Sequence, residues 1–173
     1  HAAFNPPKKY WDLYKRSEVT PPANPNPPQN VPALALHDSR EILRGFKKRP
    51  GGKPTPAEII TLRHGYYAAI SYVDAQIGKV IDELDRLDLA KETIIVFWSD
   101  HGFHLGEHSL WAKTSNFERD ARVPMIIATP GSKGGHRSSA LVELLDLYPT
   151  LADLCGISAP PNLEGVSLRS VLD

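Results

Sequence analysis

Residues 93–98 read "TIIVFW" and lead straight into "SDHG". A run this short, nearly all apolar and rich in β-branched side chains, reads as a strand with no polar face. Such a strand needs a sheet covered on both sides. "VPMIIATPG" at 123–131 repeats the pattern and stops at Pro-Gly. Covering helices must come from the rest of the chain. Thr55-Pro56-Ala57-Glu58 is a capping box with proline at the first helical position. Apolar or aromatic residues then recur at Ile59, Leu62, Tyr66, Ile70, Val73, Ile77, Val80 or Ile81, Leu84 and Leu87, alternating three and four apart. That spacing predicts one long helix over 56–87, about 48 Å at 1.5 Å per residue. Gly65 and Gly78 weaken it or let a neighbour approach closely. "ALVELLDLYPTLADLCG" predicts a further helix, with Asp146 as N-cap, Pro149 in the first turn and Gly156 as the stop. The order helix, strand, irregular segment, strand, helix is that of an α/β fold with helices over a largely parallel sheet. Two strands are too few for such a sheet. The irregular segments, or residues upstream of His1, are expected to supply the others.

The first 54 residues are irregular. "NPPKKYWDLYKR" offers Tyr10, Trp11, Leu13 and Tyr14 as anchors, and "TPPANPNPPQNVP" has six prolines in thirteen residues. Proline removes backbone donors and fixes φ, which excludes a helix or central strand there. A long surface excursion pinned by aromatics fits. "SREILRGF" is read as a short helix capped by Ser39, and "SAPPNLEGVSLRSVLD" as a loop with one helical turn. The 173 residues read as one domain: an irregular Pro-rich excursion over 1–54, a long helix over 56–87, and strand, site loop, strand and helix over 93–173.

Twenty acidic and twenty basic residues cancel, so no field favours nucleic acid. No apolar run reaches the roughly 18 residues of a membrane span. The single cysteine, Cys155, builds neither an internal disulfide nor a cysteine-rich zinc site, and reads as a buried inert thiol.

In open α/β sheets ligands bind outside the carboxyl ends of strands. Asp100 and His101 stand at such an end, with Gly102 allowing a sharp turn. Aspartate offers a hard anionic oxygen and histidine a neutral nitrogen, a pair suited to a divalent cation holding an anionic substrate. Lys113 adds a charge able to grip a substrate oxyanion or steady a leaving oxygen. Spacing alone leaves a second reading open, a plain turn in which the aspartate caps the next segment. His104 and His108, with Glu107 between them, are read either as outer ligands or substrate contacts, or as a surface turn. "HLGEH" lacks the histidine pair one helical turn apart that zinc proteases use. Trp111 packs the loop, Asn116 and Glu118 organise it, and Glu118 with Arg122 forms a weak ion pair. His64 and His136 are read as solvent-facing, and Asp74 as structural.

"TIIVFWSDHGFHLGEHSLWAKTSNFERDARVPMIIATPG" resembles the type I sulfatases of the alkaline-phosphatase superfamily, and within them the iduronate-2-sulfatase group with its bacterial members. "FNPPKKYWDLY", "HGYYAAISYVDAQIGKVIDELDRL", "LVELLDLYPTLADLCGI" and "LEGVSLRSVL" extend the resemblance, in order, over nearly the whole chain. It implies a large mixed sheet flanked by helices. It also implies hydrolysis of a sulfate ester on a glycan by a formylglycine, made from cysteine or serine in a Cys/Ser-x-Pro-x-Arg motif, with a divalent metal, usually Ca²⁺. Carried over by position, Asp100 and His101 resemble metal ligands. Lys113 resembles the lysine that binds sulfate and steadies the bridging oxygen; of the two readings of His108 given above, substrate contact is the expectation taken forward.

The sequence also departs from the family pattern. Cys155 is followed by Gly-Ile-Ser-Ala, so it is no formylglycine site, and the nucleophile motif and the early paired aspartates are missing from the chain. "HAAFNPP" resembles the tail of the family's His-Lys-Pro-His-x-Pro-Phe segment, which matches His1 to its second histidine. The resemblance therefore implies the downstream part of a catalytic domain, with formylglycine expected upstream and the remainder of that domain as a partner. The isolated chain is expected to be inactive. A sulfated carbohydrate is the expected substrate, no nucleic acid or membrane is an expected partner, and export to periplasm, medium or lysosome is implied. Two alternatives stay open: a phosphodiesterase or phosphonate hydrolase of the same superfamily, and a non-catalytic glycan-binding paralogue.

Overall fold

The computed structural model describes residues 4–44 and 52–172. His1 and the end of "SREILRGF" lie outside the described residues. The chain divides into two units, residues 1–90 with 101–124, and residues 91–100 with 125–173.

In the first unit, α1 (Lys8–Trp11) and α2 (Arg40–Leu43) are single turns in the Pro-rich excursion, and α3 spans Pro56–Arg86. The predicted capping box forms in full: Glu58 N–H donates to Thr55 Oγ1 at 3.3 Å, and Thr55 N–H to Glu58 Oε2 at 2.8 Å. The most deeply buried residues of α3 lie beside the predicted face, of which Ile59, Leu62, Tyr66, Ile77, Ile81 and Leu84 are half-buried. Arg63, His64, Gly65 and Ala68 are buried, while Ile70, Val73, Val80 and Leu87 stay exposed. The reason is close approach. A Cβ on Gly65 would sit 2.9 Å from Phe4 O and 3.1 Å from the Trp11 ring, so the aromatics of the excursion dock where α3 is smallest. Trp11 stacks on His64 at 4.3 Å, and Phe4, Tyr66 and Phe103 form a cluster with ring centroids 5.2–5.7 Å apart. Tyr14 reaches Ser71 across 2.6 Å. The excursion is thus pinned by aromatics, as expected. His64, expected to face solvent, is buried under Trp11 with its Nε2 2.9 Å from Trp11 O.

The irregular stretch 101–124 adds a small hairpin, β2 (His104–Leu105) antiparallel to β3 (Trp111–Ala112), and a turn of helix, α4 (Glu118–Ala121). Trp111 is buried, as predicted. Ser39 does not cap α2 with its side chain; its φ is +50° and its Oγ instead accepts from Trp111 N–H at 2.8 Å.

In the second unit, β1 (Ile95–Trp98) pairs with β4 (Met125–Ala128). The pairing is antiparallel, which corrects the largely parallel expectation. A parallel pair needs a crossover, usually a helix, and the intervening residues offer only the four-residue α4. Opposed Phe97 and Ile126 are both exposed within this chain. The helix α5 (Leu147–Leu154) carries Pro149 in its first turn and ends at Gly156 with φ +67°, where Ile157 N–H closes on Ala152 O at 2.8 Å. Asp146 precedes it, but its carboxylate serves Glu143 N–H and Val166 N–H rather than α5. Thr150 donates to Asp146 O and accepts from Leu168 N–H, which ties on the tail with its single 3₁₀ turn at Arg169–Val171. Cys155, expected buried, is exposed because it falls at the helix end.

Candidate active site

The loop that carries Lys113 is held by three anchors, two buried polar side chains and one glycine, all within the first unit. The first is Arg63 on α3. Its Nη1 donates to Leu105 O at 3.1 Å and to Glu107 Oε1 at 3.0 Å, and its Nη2 donates to Tyr67 OH at 3.1 Å. Glu107 closes the ring by accepting Leu105 N–H on Oε2 at 2.7 Å. Burial pushes the Glu107 carboxyl up, but the amide donors of Leu105 and Glu107 and the Arg63 guanidinium outweigh it, and its pKa falls below the usual value.

The second anchor is Asp120. Its Oδ1 accepts from His104 Nδ1 at 2.9 Å, and its Oδ2 accepts Ser115 N–H at 2.8 Å and Ser115 O–H at 2.6 Å. His104 is fully buried at 0 % exposure, so it is neither a surface turn residue nor accessible to a substrate. Its ring lies 5.7 Å from that of His108, and Phe117 packs against both. The third anchor is Gly102. Its N–H donates to Asp120 O at 2.7 Å, and a Cβ there would lie 1.9 Å from Arg119 O. Only glycine lets residue 102 approach so near, which is the physical content of the "DHG" turn.

Between these anchors the backbone is strained. His108, Ser109, Ala112 and Thr114 all have positive φ, at 56°, 62°, 68° and 99°. Such conformations cost about 1–3 kcal/mol each for non-glycine residues, and they persist where the surroundings over-determine them, as at functional sites. Lys113 sits inside this stretch. Its ammonium is 3.8 Å from Glu41 Oε2, with both side chains about one-third exposed. A pair so long and so open contributes little, so Lys113 can exchange Glu41 for a better anion at small cost. His108, the predicted substrate contact, is half-buried and tied by its backbone N–H to Asn24 O at 2.7 Å.

Asp100 is exposed at the end of β1 in the second unit, and His101, next in sequence, opens the loop of the first. His101 Nδ1 lies 2.8 Å from Gly102 O. A carbonyl can only accept, so Nδ1 carries the proton in that contact. No group of three or more His, Cys, Asp or Glu side chains able to hold a metal occurs among the described residues. Sequence reasoning placed Asp100, His101 and Lys113 on one loop. It missed Arg63, Asp120 and Ser39, whose partners lie 44, 16 and 72 residues away and leave no mark in local spacing.

The sulfatase family model matches residues 1–157. Human iduronate 2-sulfatase is 34 % identical over 193 aligned residues, covering 94 % of this chain and 35 % of the relative. The chain thus spans about a third of the length of the curated relatives it matches. Among solved structures, a phosphonate monoester hydrolase from Silicibacter pomeroyi superposes with a TM-score of 0.81 at 32 % identity, over 96 % of this chain and 34 % of that one. Another, solved with its substrate D-glucosamine-2-N,6-O-disulfate, has a TM-score of 0.79 at 25 % identity, over 99 % of this chain and 45 % of that one. These likenesses bear out the expected α/β fold, part of the alkaline-phosphatase-like sheet flanked by helices. By sequence and by fold, the chain belongs to the sulfatase family.

Proposed function

We propose that the protein carrying these residues hydrolyses a sulfate ester on a glycan, in the manner of an iduronate-2-sulfatase. The observation that carries this reading is the family match across residues 1–157, which includes the whole loop from Asp100 to Lys113. Asp100 and His101 would hold a divalent cation, Ca²⁺ in this reading, although calcium favours oxygen and takes six to eight such ligands. When bound, that cation supplies Lewis-acid polarisation of the sulfate oxygens. The nucleophile, a formylglycine, belongs to a part of the enzyme outside this chain.

What this chain contributes is binding and charge. The anchors at Arg63, Asp120 and Gly102 hold the loop before substrate arrives, so little reorganisation is left for the reaction itself. The Lys113 ammonium turns from Glu41 to the sulfate and stabilises negative charge developing on the bridging oxygen as the ester bond breaks. His108 borders the substrate. The substrate is a sulfated carbohydrate, which is also what one solved neighbour was captured with. Export from the cytoplasm follows from where such substrates are found; no helix among the described residues is long and apolar enough to cross a membrane.

The phosphonate monoester hydrolase neighbour, at 32 % identity, supports a second reading, hydrolysis of a phosphonate or phosphate ester on the same scaffold. A cation and a lysine serve phosphoryl transfer as well as sulfuryl transfer. A non-catalytic glycan-binding paralogue is the third. One experiment separates them. The full-length protein and its Lys113→Ala variant are assayed on a 2-O-sulfated iduronate disaccharide, 4-methylumbelliferyl sulfate and a phenylphosphonate ester, with bound metal measured in parallel. Sulfate-ester turnover that falls at least a hundredfold in the variant, with metal content unchanged, is the expected result. Turnover of the phosphonate ester alone selects the second reading. Glycan binding without turnover of any ester selects the third.

A further inference from the structure

Two imidazole nitrogens of the Lys113 loop, His104 Nε2 and His108 Nδ1, are buried and meet no hydrogen-bond partner among the described residues. A buried polar atom without a partner is costly. The two belong to neighbouring rings, whose centroids are 5.7 Å apart. Imidazoles joined by an N–H···N bond have centroids roughly 5 Å apart, from a nitrogen separation of about 2.9 Å plus the two ring radii. The rings are thus a small rotation away from bonding, and each offers what the other lacks. Phe117 packs on both and brings no polar side-chain atom of its own.

The direction of that bond is set from its far end. The Asp120 carboxylate accepts from His104 Nδ1 at 2.9 Å, and also from the amide and hydroxyl of Ser115. A carboxylate accepts, so Nδ1 carries the proton of neutral His104 and Nε2 holds a lone pair. That lone pair needs a donor, and His108 supplies one when its own proton sits on Nδ1. The His108 backbone is fixed in place, with φ at +56° and its N–H on Asn24 O at 2.7 Å. A neutral His108 with its proton on Nδ1 presents a lone pair at Nε2. We propose that Asp120 and His104 are positioning residues that fix His108 in its Nδ1–H tautomer, so that His108 Nε2 accepts a hydrogen bond from a hydroxyl of the substrate. The place of His108 beside the substrate rests on the sulfate-ester reading above; its tautomer does not.

The test reads the ring nitrogens of isotopically labelled histidine by NMR in the full-length protein, at about pH 8.5, above the ordinary imidazole range. The His108 signals are identified by their loss in His108→Gln. The wild type is expected to show His108 protonated at Nδ1 and His104 protonated at Nδ1. Asp120→Asn keeps an oxygen for Ser115 and turns an amide N–H toward His104 Nδ1. Both rings are then expected to change tautomer and carry their protons on Nε2, a change that a role confined to packing would not produce. In the same variant kcat/KM for a sulfated disaccharide is expected to fall about tenfold relative to 4-methylumbelliferyl sulfate, which has no hydroxyl to offer. Wild-type His108 with its proton on Nε2 overturns the relay, whether or not the variant folds. A change of tautomer with the kcat/KM ratio unchanged within about twofold overturns the contact with substrate. Wild-type failure on every sulfate ester overturns the hydrolytic reading, and the tautomers still decide the relay.

Discussion

Ser39 has three odd properties at once: a positive φ of 50°, 2 % exposure, and a hydroxyl that accepts the Trp111 N–H at 2.8 Å. Sequence alone casts it as the cap of a short helix. The structure spends the same hydroxyl 72 residues away, on the first residue of β3. A buried amide left without its acceptor costs about 1–3 kcal/mol. In the full-length protein, Ser39→Ala is therefore expected to lower stability to urea by roughly 2 kcal/mol. Ser39→Thr, which keeps an acceptor oxygen, is expected to lose less. Equal midpoints for wild type and alanine variant would show that water or relaxation satisfies Trp111 instead. The lesson for reading is specific. Serine ahead of an apolar run is a sound local signal for a cap, but the sequence does not say which backbone amide, near or far, the hydroxyl will meet.

At the scale of elements, the hairpin β2–β3 rests on α3 through Arg63 and Glu107, whose side chains are only 10 % and 13 % exposed. Breaking a buried pair by removing one member costs about 3–5 kcal/mol, because the other charge is left stranded. Arg63→Met in the full-length protein is expected to fall in that range. Arg63→Met with Glu107→Leu is expected to recover part of the loss, a coupling that a double-mutant cycle measures. The pH dependence has a definite sign. The Glu107 pKa is depressed in the folded state, so its contribution is complete above the unfolded carboxyl value of about 4.3 and is lost as pH falls through the folded value. Urea midpoints recorded from about pH 6 to pH 3 should drop less steeply for Glu107→Gln than for wild type; parallel slopes would remove Glu107 from the account. Little of this was legible beforehand. Helix α3 announces itself through Thr55, Pro56 and Glu58 and through its three-and-four spacing. Its docking does not, because the excursion settles on the small and polar flank at Gly65 and takes Tyr66 alone from the apolar stripe into its aromatic cluster. The strands at 95–98 and 125–128 were legible from β-branched runs, but strand direction depends on the connection, and nothing local to 99–124 states it.

For the whole molecule, exposed apolar surface decides how this chain behaves by itself. Phe97, Trp98 and Ile126 on the strand pair, Ile70, Val73 and Val80 on α3, Leu145 just before α5 and Tyr148 in its first turn are all more than one-third exposed. Scattered apolar residues are ordinary on a surface; runs of them along a two-stranded sheet are not. Two strands with exposed faces do not hold together in water on their own, and the sequence marks both as fit for burial on two sides. The first unit is better supplied, with the Phe4–Tyr66–Phe103 cluster and the three anchors of the Lys113 loop. Expressed as 173 residues alone, the chain is therefore expected to bind a hydrophobic dye such as ANS strongly. It is also expected to exchange amide hydrogens of 95–98 and 125–128 much faster than those of 58–70, and to leave 4-methylumbelliferyl sulfate intact. The protection pattern is the sharper readout, since it reports on the strand pair directly. Equal and strong protection across both strands and α3, with no dye binding, would mean that the strand pair is stable with its apolar faces in water. The physical reading of "TIIVFW" as a strand that demands cover would then be wrong.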